Sequence, residues 1–175
     1  MDVFNHGLWS FVAFHKRSTL DKVAAVAFGT LPDLVVFMPA VVYLFLNRIA
    51  FDPQLYNEKA SWVFQYAYNA YNYTHSLVIF AVIFLLVYAI RRKMYLPMLA
   101  WGLHILMDIP THPDFYQTPF LFPISDYRFP WGISWGQPVF FAVNYGVLAL
   151  SFILIYVYRK KKTNTVIASE AKQSD

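Results

Sequence analysis

Cysteine is absent from the 175 residues, which removes disulfides and thiolate metal sites and leaves imidazole and oxygen as the available metal ligands. Charge is scarce too. Asp, Glu, Lys and Arg make up 14% of the chain against 58% for the apolar set, and a water-soluble domain of this size could not hide so much apolar surface. The only glutamates are Glu58 and Glu170, so a paired-glutamate mechanism has nowhere to form. No GxSxG, P-loop, GxGxxG or HExxH stretch occurs, which excludes the soluble-enzyme signatures built on those motifs. A cleavable leader is not expected, because DVFNHGLWSFVAF has no positive n-region and no small-residue cleavage site before HKR. The net charge of +4 arrives in short bursts between apolar runs and not as one basic face, so nucleic acid is not an expected partner; the lipid bilayer is.

What is present is a series of apolar runs. Val23 to Leu46 is interrupted by Thr30 and Asp33 alone and would reach about 36 Å as a helix, enough for a hydrocarbon core of about 30 Å. Ser76 to Ile90 ends at Arg91, Arg92 and Lys93, Tyr95 to Ile109 is opened by Pro97 and closed by Pro110, and Pro138 to Tyr158 stops at Arg159 and three lysines. These runs predict an all-α, polytopic membrane protein of about four spans with a short N-terminal helix and broken helices. Residues 1–162 would form a single membrane domain and 163–175 a polar, disordered tail. Placing both termini and the Arg91 to Lys93 turn in the cytoplasm gathers eleven of the fourteen Lys and Arg residues there and leaves Arg48, Lys59 and Arg128 outside. The expected location is a bacterial inner membrane. Val3 to Phe14 is too short to cross alone and is expected to be interfacial or partly inserted.

The informative positions are ionisable groups within or at the ends of these runs, since a carboxylate at membrane depth costs on the order of 2.5–3.5 kcal/mol on insertion scales. His104 and Asp108 are four apart in GLHILMD, which puts imidazole and carboxylate on one helix face. That spacing suits a chelate, and equally a His–Asp hydrogen bond that orients a buried ring. Asp33 follows Pro32 in TLPDL, where a bend would free backbone groups around the carboxylate or let Asp33 cap the next helix. His75 opens the second span in YTHSLV, at the membrane level of Asp108, as a ligand or an interfacial histidine. His6, His15 and His112 are harder to place: His6 lies on the N-terminal helix, His15 in a basic cluster, and His112 in a proline-flanked loop. Ligands of this kind suit Zn, Mn or Fe, and a metal so held lowers the pKa of water.

With these residues in hand, the chain resembles a bacterial family of inner-membrane-associated proteins described as metal-dependent hydrolases and as LexA-binding. The resemblance rests on FNHGLW, GTLPDL, YTHSLV, GLHILMD and FPISDYRFPWG, in that order, from about Met1 to Lys160. It implies that His6, Asp33, His75, His104 and Asp108 gather round a metal, with Ser125 and Arg128 near the pocket mouth. The chain departs from the family at two places. Leu34 and Val35 stand where PDxD is common, and Ala70, Tyr71 and Asn72 stand where His-Arg-Gly precedes Thr-His-Ser. Two ligands or substrate contacts are thereby missing, which counts against a two-metal site.

A straight helix over 23–46 would leave Asp33 in mid-membrane and His6 on the cytoplasmic side, away from His75 and Asp108. A turn at Pro32 lets all five converge, and that path is expected because it gives the carboxylate a partner. The functional expectation is a metal-dependent hydrolase in which His6, Asp33, His104 and Asp108 hold the metal, zinc first, and His75 is a further ligand or the general base. Trp131, Trp135, Phe120 and Phe122 would line the approach of a lipid or another phosphate ester. The alternative is a non-catalytic scaffold or assembly protein with a buried His/Asp hydrogen-bond network. A transporter is disfavoured by the small size and the lack of repeats.

Overall fold

The computed structural model describes residues 1–50, 52, 55, 61–113 and 117–171, with side chains as far as residue 165; Lys59 and residues 172–175 of the expected tail lie outside the described residues. Six α-helices occur there and no strand: α1 Val3–Ala13, α2 Thr19–Asn47, α3 Trp62–Thr74, α4 Leu77–Arg91, α5 Leu99–Thr111 and α6 Pro138–Ala171, with a 3₁₀ turn, Leu96–Met98, leading into α5. Two helices, Thr19–Asn47 and Pro138–Thr165, are long and apolar enough to cross a membrane, and α3 with α4, bent by 62°, makes a third if counted as one broken span. The segment expected as a further span, Tyr95 to Ile109, is occupied by the 3₁₀ turn and α5. A 13-residue helix reaches about 20 Å, short of a hydrocarbon core of about 30 Å. The apolar helices are consistent with membrane association, and no residue of α4 is buried.

The chain divides into two compact units, Met1–Gln137 and Pro138–Asp175. In the second unit α6 continues to Ala171, through most of the segment expected to be a disordered tail. TNTVIASEA contains no glycine or proline to stop it.

Within the first unit α2 is the central helix, packing against α1, α3, α5 and the 3₁₀ turn. The expected turn at Pro32 does not occur: α2 runs unbroken with both Pro32 and Pro39 inside it. Each proline costs the helix one N–H donor and strands the carbonyl four residues earlier. For Pro39 that is Val35 O, which accepts from the Tyr66 hydroxyl of α3 at 3.2 Å. Near Pro32 the Gly29 carbonyl accepts from His104 of α5 at 2.8 Å. For Pro39 a neighbouring helix thus supplies the donor from outside, as membrane helices with internal prolines require.

Asp2 caps α1 by accepting from Asn5 N at 3.0 Å, and Ser18 caps α2 by accepting from Asp21 N at 3.1 Å. The short turn between them folds α1 back onto the first half of α2. Small residues let the two backbones meet: a Cβ on Gly29 would strike Ser10 Oγ and lie 3.1 Å from the His6 carbonyl. On the other flank, a Cβ on Gly102 of α5 would stand 2.8 Å from the Phe80 ring of α4. A cluster of Val36, Ala40, Leu44, Val63, Phe64, Ala67 and Tyr71 joins α2 to α3.

Gly29→Val should therefore push α1 off α2 and destabilise the fold by about 1–3 kcal/mol, the usual range for overpacking. Thermal unfolding in detergent measures this, and an unchanged midpoint would contradict the packing described.

Candidate metal centre

Four elements deliver five side chains to one point. Asp33 comes from the middle of α2, His75 from the break between α3 and α4, His104 and Asp108 from successive turns of α5, and His6 from α1. All five are buried. The break at His75 is fixed locally. His75 N donates to Tyr71 O at 3.0 Å, ending α3, and Ser76 Oγ accepts from Val78 N and Ile79 N at 3.1 Å, starting α4. Ser76 Oγ also donates to Phe122 O, and Leu77 N donates to Phe120 O at 3.0 Å. Trp101 Nε1 of α5 donates to Thr74 O at 2.6 Å and ties the break to α5. The far end of α5 is closed by Ile133 N and Trp135 N, which donate to the Pro110 and Thr111 carbonyls at 3.0 Å each.

The outer nitrogens of two rings settle which way the inner ones face. His104 Nδ1 lies 2.8 Å from Gly29 O, an acceptor only, so Nδ1 carries the proton. His75 Nδ1 lies 2.8 Å from Thr74 Oγ1, whose single proton goes to Ala70 O at 3.0 Å; this nitrogen too must donate. Both rings then present an Nε2 lone pair inward, and the two Nε2 atoms are 3.0 Å apart. In the neutral rings two lone pairs held so close repel unless a proton or a metal ion lies between them. Carboxylates close the cluster: His104 Nε2 is 3.1 Å from Asp108 Oδ2 and 3.7 Å from Asp33 Oδ1, and His75 Nε2 is 3.5 Å and 3.3 Å from the same atoms. Ligands about 2.0–2.1 Å from a tetrahedral ion are about 3.3–3.4 Å from each other. The five measured separations, 3.0 to 3.7 Å, scatter on both sides of that edge. One ligand atom from each of Asp33, His75, His104 and Asp108 lies within 4.8 Å of the others, so these residues could hold a metal ion.

Asp33 Oδ2 and Asp108 Oδ2 are buried without a hydrogen-bond partner, as are both ring nitrogens of His6. His6 Nε2 is 3.0 Å from Asp108 Oδ1 and 3.9 Å from Asp33 Oδ2, and its ring stacks on His104 with centroids 3.7 Å apart. The structure thus draws His75 into the group of four and leaves His6 against its edge. Burial pushes the His6 imidazole down to about 4 despite the attraction of Asp108, which keeps the ring neutral. Asp108 Oδ1, turned away from the cluster, meets the Met1 amino group and lies 3.2 Å from His112 Nδ1.

The remaining sequence-predicted residues lie elsewhere. Arg128 donates to Gln117 O and, at 3.3 Å, to Asn72 Oδ1, while Ser125 Oγ accepts from Tyr127 N at 3.1 Å. Neither is among the residues lining the cavity of about 300 Å³ beside Asp33 and His112. Of the four aromatics expected on the approach, Trp135 lines that cavity; Trp131 is exposed, and Phe120 and Phe122 hold the α4 start through their carbonyls. His15 Nδ1 sits 2.7 Å from Val12 O after α1. Thr74 and Gly29, which orient the two ligand rings, carry no metal-ligand signature, and His112 was legible only as a loop histidine. Comparison with family models, with curated proteins and with solved structures finds no match for this chain.

Thr74→Val keeps the shape of the side chain but removes the acceptor that holds the His75 tautomer. Metal affinity, measured by chelator competition, should fall about 10–100-fold, as for other partners of metal-bound histidines. An unchanged affinity would mean that Thr74 does not orient the ring.

Proposed function

We propose that the protein is a membrane-bound, metal-dependent hydrolase of the bacterial inner membrane, multi-pass with a cytoplasmic C-terminus, acting on an amphiphilic or phosphate-ester substrate. The observation that carries this reading is the convergence of the His75 and His104 Nε2 atoms on two buried carboxylates, each of which keeps one oxygen, Asp33 Oδ2 and Asp108 Oδ2, without a hydrogen-bond partner. A hydrogen-bonded scaffold needs those oxygens paired, because an unsatisfied buried polar atom costs about 1–3 kcal/mol. A bound ion would draw on the inward oxygens, Asp33 Oδ1 and Asp108 Oδ2, together with the two ring nitrogens. The order of the five motifs, and the family they resemble, supports the same reading.

In this scheme His75, His104, Asp33 and Asp108 hold the metal, with zinc first among the candidates because the separations suit a tetrahedron. A divalent ion in such a site supplies Lewis acidity, so that water beside it ionises near neutral pH. We assign His6 as the base: the ring is neutral by burial, its Nε2–H faces Asp108 Oδ1 at 3.0 Å, and Nδ1, which has no hydrogen-bond partner, is the nitrogen left to take a proton from water. Gly29 and Thr74 keep the two ligand rings turned inward. Asp108 Oδ1, engaged by His112 and the Met1 amino group, leaves Oδ2 to the cluster.

Elemental analysis of detergent-purified protein should find close to one equivalent of Zn, Mn or Fe in the wild type and a large loss in Asp108→Ala. His6→Ala should keep the metal but lose about 10²–10⁴-fold in turnover of a chromogenic phosphate ester, the usual contribution of a general base. Wild type and Asp108→Ala both without metal would leave the scaffold reading in its place.

A further inference from the structure

Asp33 is also the first residue of a stripe. Asp33, Phe37, Ala40, Val41 and Leu44 all line the cavity of about 300 Å³, and at 3.6 residues per turn they fall within about 100° of the α2 circumference. Phe64 and Tyr71 of α3 form the opposite wall. The polar groups are gathered at one end, where Asp33 and His112 join the metal centre; from Phe37 onward the α2 wall is hydrocarbon. Asp33 to Leu44 is about 16 Å along the helix, and the cavity of about 300 Å³ lies beside this stretch. Its length and its apolar lining suit an extended hydrocarbon chain. Val41 lines the cavity and yet is 56% exposed. The cavity therefore opens sideways through α2, a helix long and apolar enough to lie in a bilayer, where the molecules at the opening are hydrocarbon chains.

We propose that this cavity is an acyl-chain site: a single chain lies along Phe37, Ala40, Val41 and Leu44, with the polar group it carries held at the Asp33–His112 end. The assignment of that end rests on the metal-centre reading; the chain site itself rests on the shape and lining of the cavity. It makes the substrate an ester or phosphate ester that carries an acyl chain, and Ala40 the residue that sets how long a chain fits.

The test is photolabelling of the full chain, purified in detergent, with dodecanoic acid carrying a diazirine on its terminal carbon. Label should concentrate on residues 40–44 and on Phe64, and fall about tenfold with excess unlabelled dodecanoic acid. It should fall to a similar degree in Ala40→Phe, whose ring fills the cavity, and in Val41→Trp, which obstructs the opening from an exposed position and leaves the core intact. Labelling that is not competed, or that persists undiminished in the Val41 variant, overturns the chain site. Metal content is read in the same samples. Metal without groove labelling sinks the chain site and leaves the metal centre standing, whereas groove labelling in protein that binds no metal sustains the chain site and removes the hydrolase.

Discussion

The orientation of two imidazole rings is the constraint on which the rest depends. His75 and His104 each spend their Nδ1 proton on an outer acceptor, Thr74 Oγ1 and Gly29 O, and so turn two lone pairs toward each other across 3.0 Å. In water such an arrangement would relax by rotating a ring or taking up a proton. Here both rings are buried and locked at their far sides, and the groups that approach them from the remaining directions are carboxylates. A site built this way could hold a metal ion.

The fold can be understood as the means of holding those outer acceptors still. Gly29 serves twice: its missing side chain lets α1 come close enough for His6 to reach the cluster, and its carbonyl, on the turn disturbed by Pro32, receives the His104 proton. Thr74 sits at the last turn of α3, pinned by Trp101 through its carbonyl. The break that follows would be costly in lipid if its backbone groups were left bare. Ser76 and the carbonyls of Phe120 and Phe122 pair them. Prolines, glycines and a broken helix, each unfavourable locally, thus become the features that place ligands.

Much of the site was legible in the sequence because membrane depth makes charge conspicuous. An Asp at position 33 and a His–Asp pair four residues apart at 104 and 108 stand out against apolar runs, and the structure brings both acids and His75 to one point. The path of α2 was less legible. The expected bend at Pro32 was to give the Asp33 carboxylate a partner, and the partners come without a bend: α1 and the α3–α4 break bring His6 and His75 to the middle of a continuous helix, which no local pattern reveals. For the same reason His6 reaches the cluster beside a continuous helix: α1 folds back along α2 after a five-residue turn, and the short helices, not a bend, bring the ligands to the middle of α2. The reach of α6 to Ala171 was hidden by polarity, since the residues after Lys162 look like a solvated tail while containing nothing that stops a helix. Ser125 and Arg128 drew attention through a shared motif, yet their polar groups serve the loop and α3.

X-ray absorption at the metal edge, on protein loaded with one equivalent of zinc, bears most directly on the inward-facing lone pairs. The account predicts a first shell of about four nitrogen and oxygen neighbours at about 2.0–2.1 Å, with the outer-shell scattering of two imidazole rings. A spectrum of oxygen neighbours alone, with no imidazole scattering, would show that His75 and His104 do not turn their Nε2 atoms to a shared ion, and the account would fall.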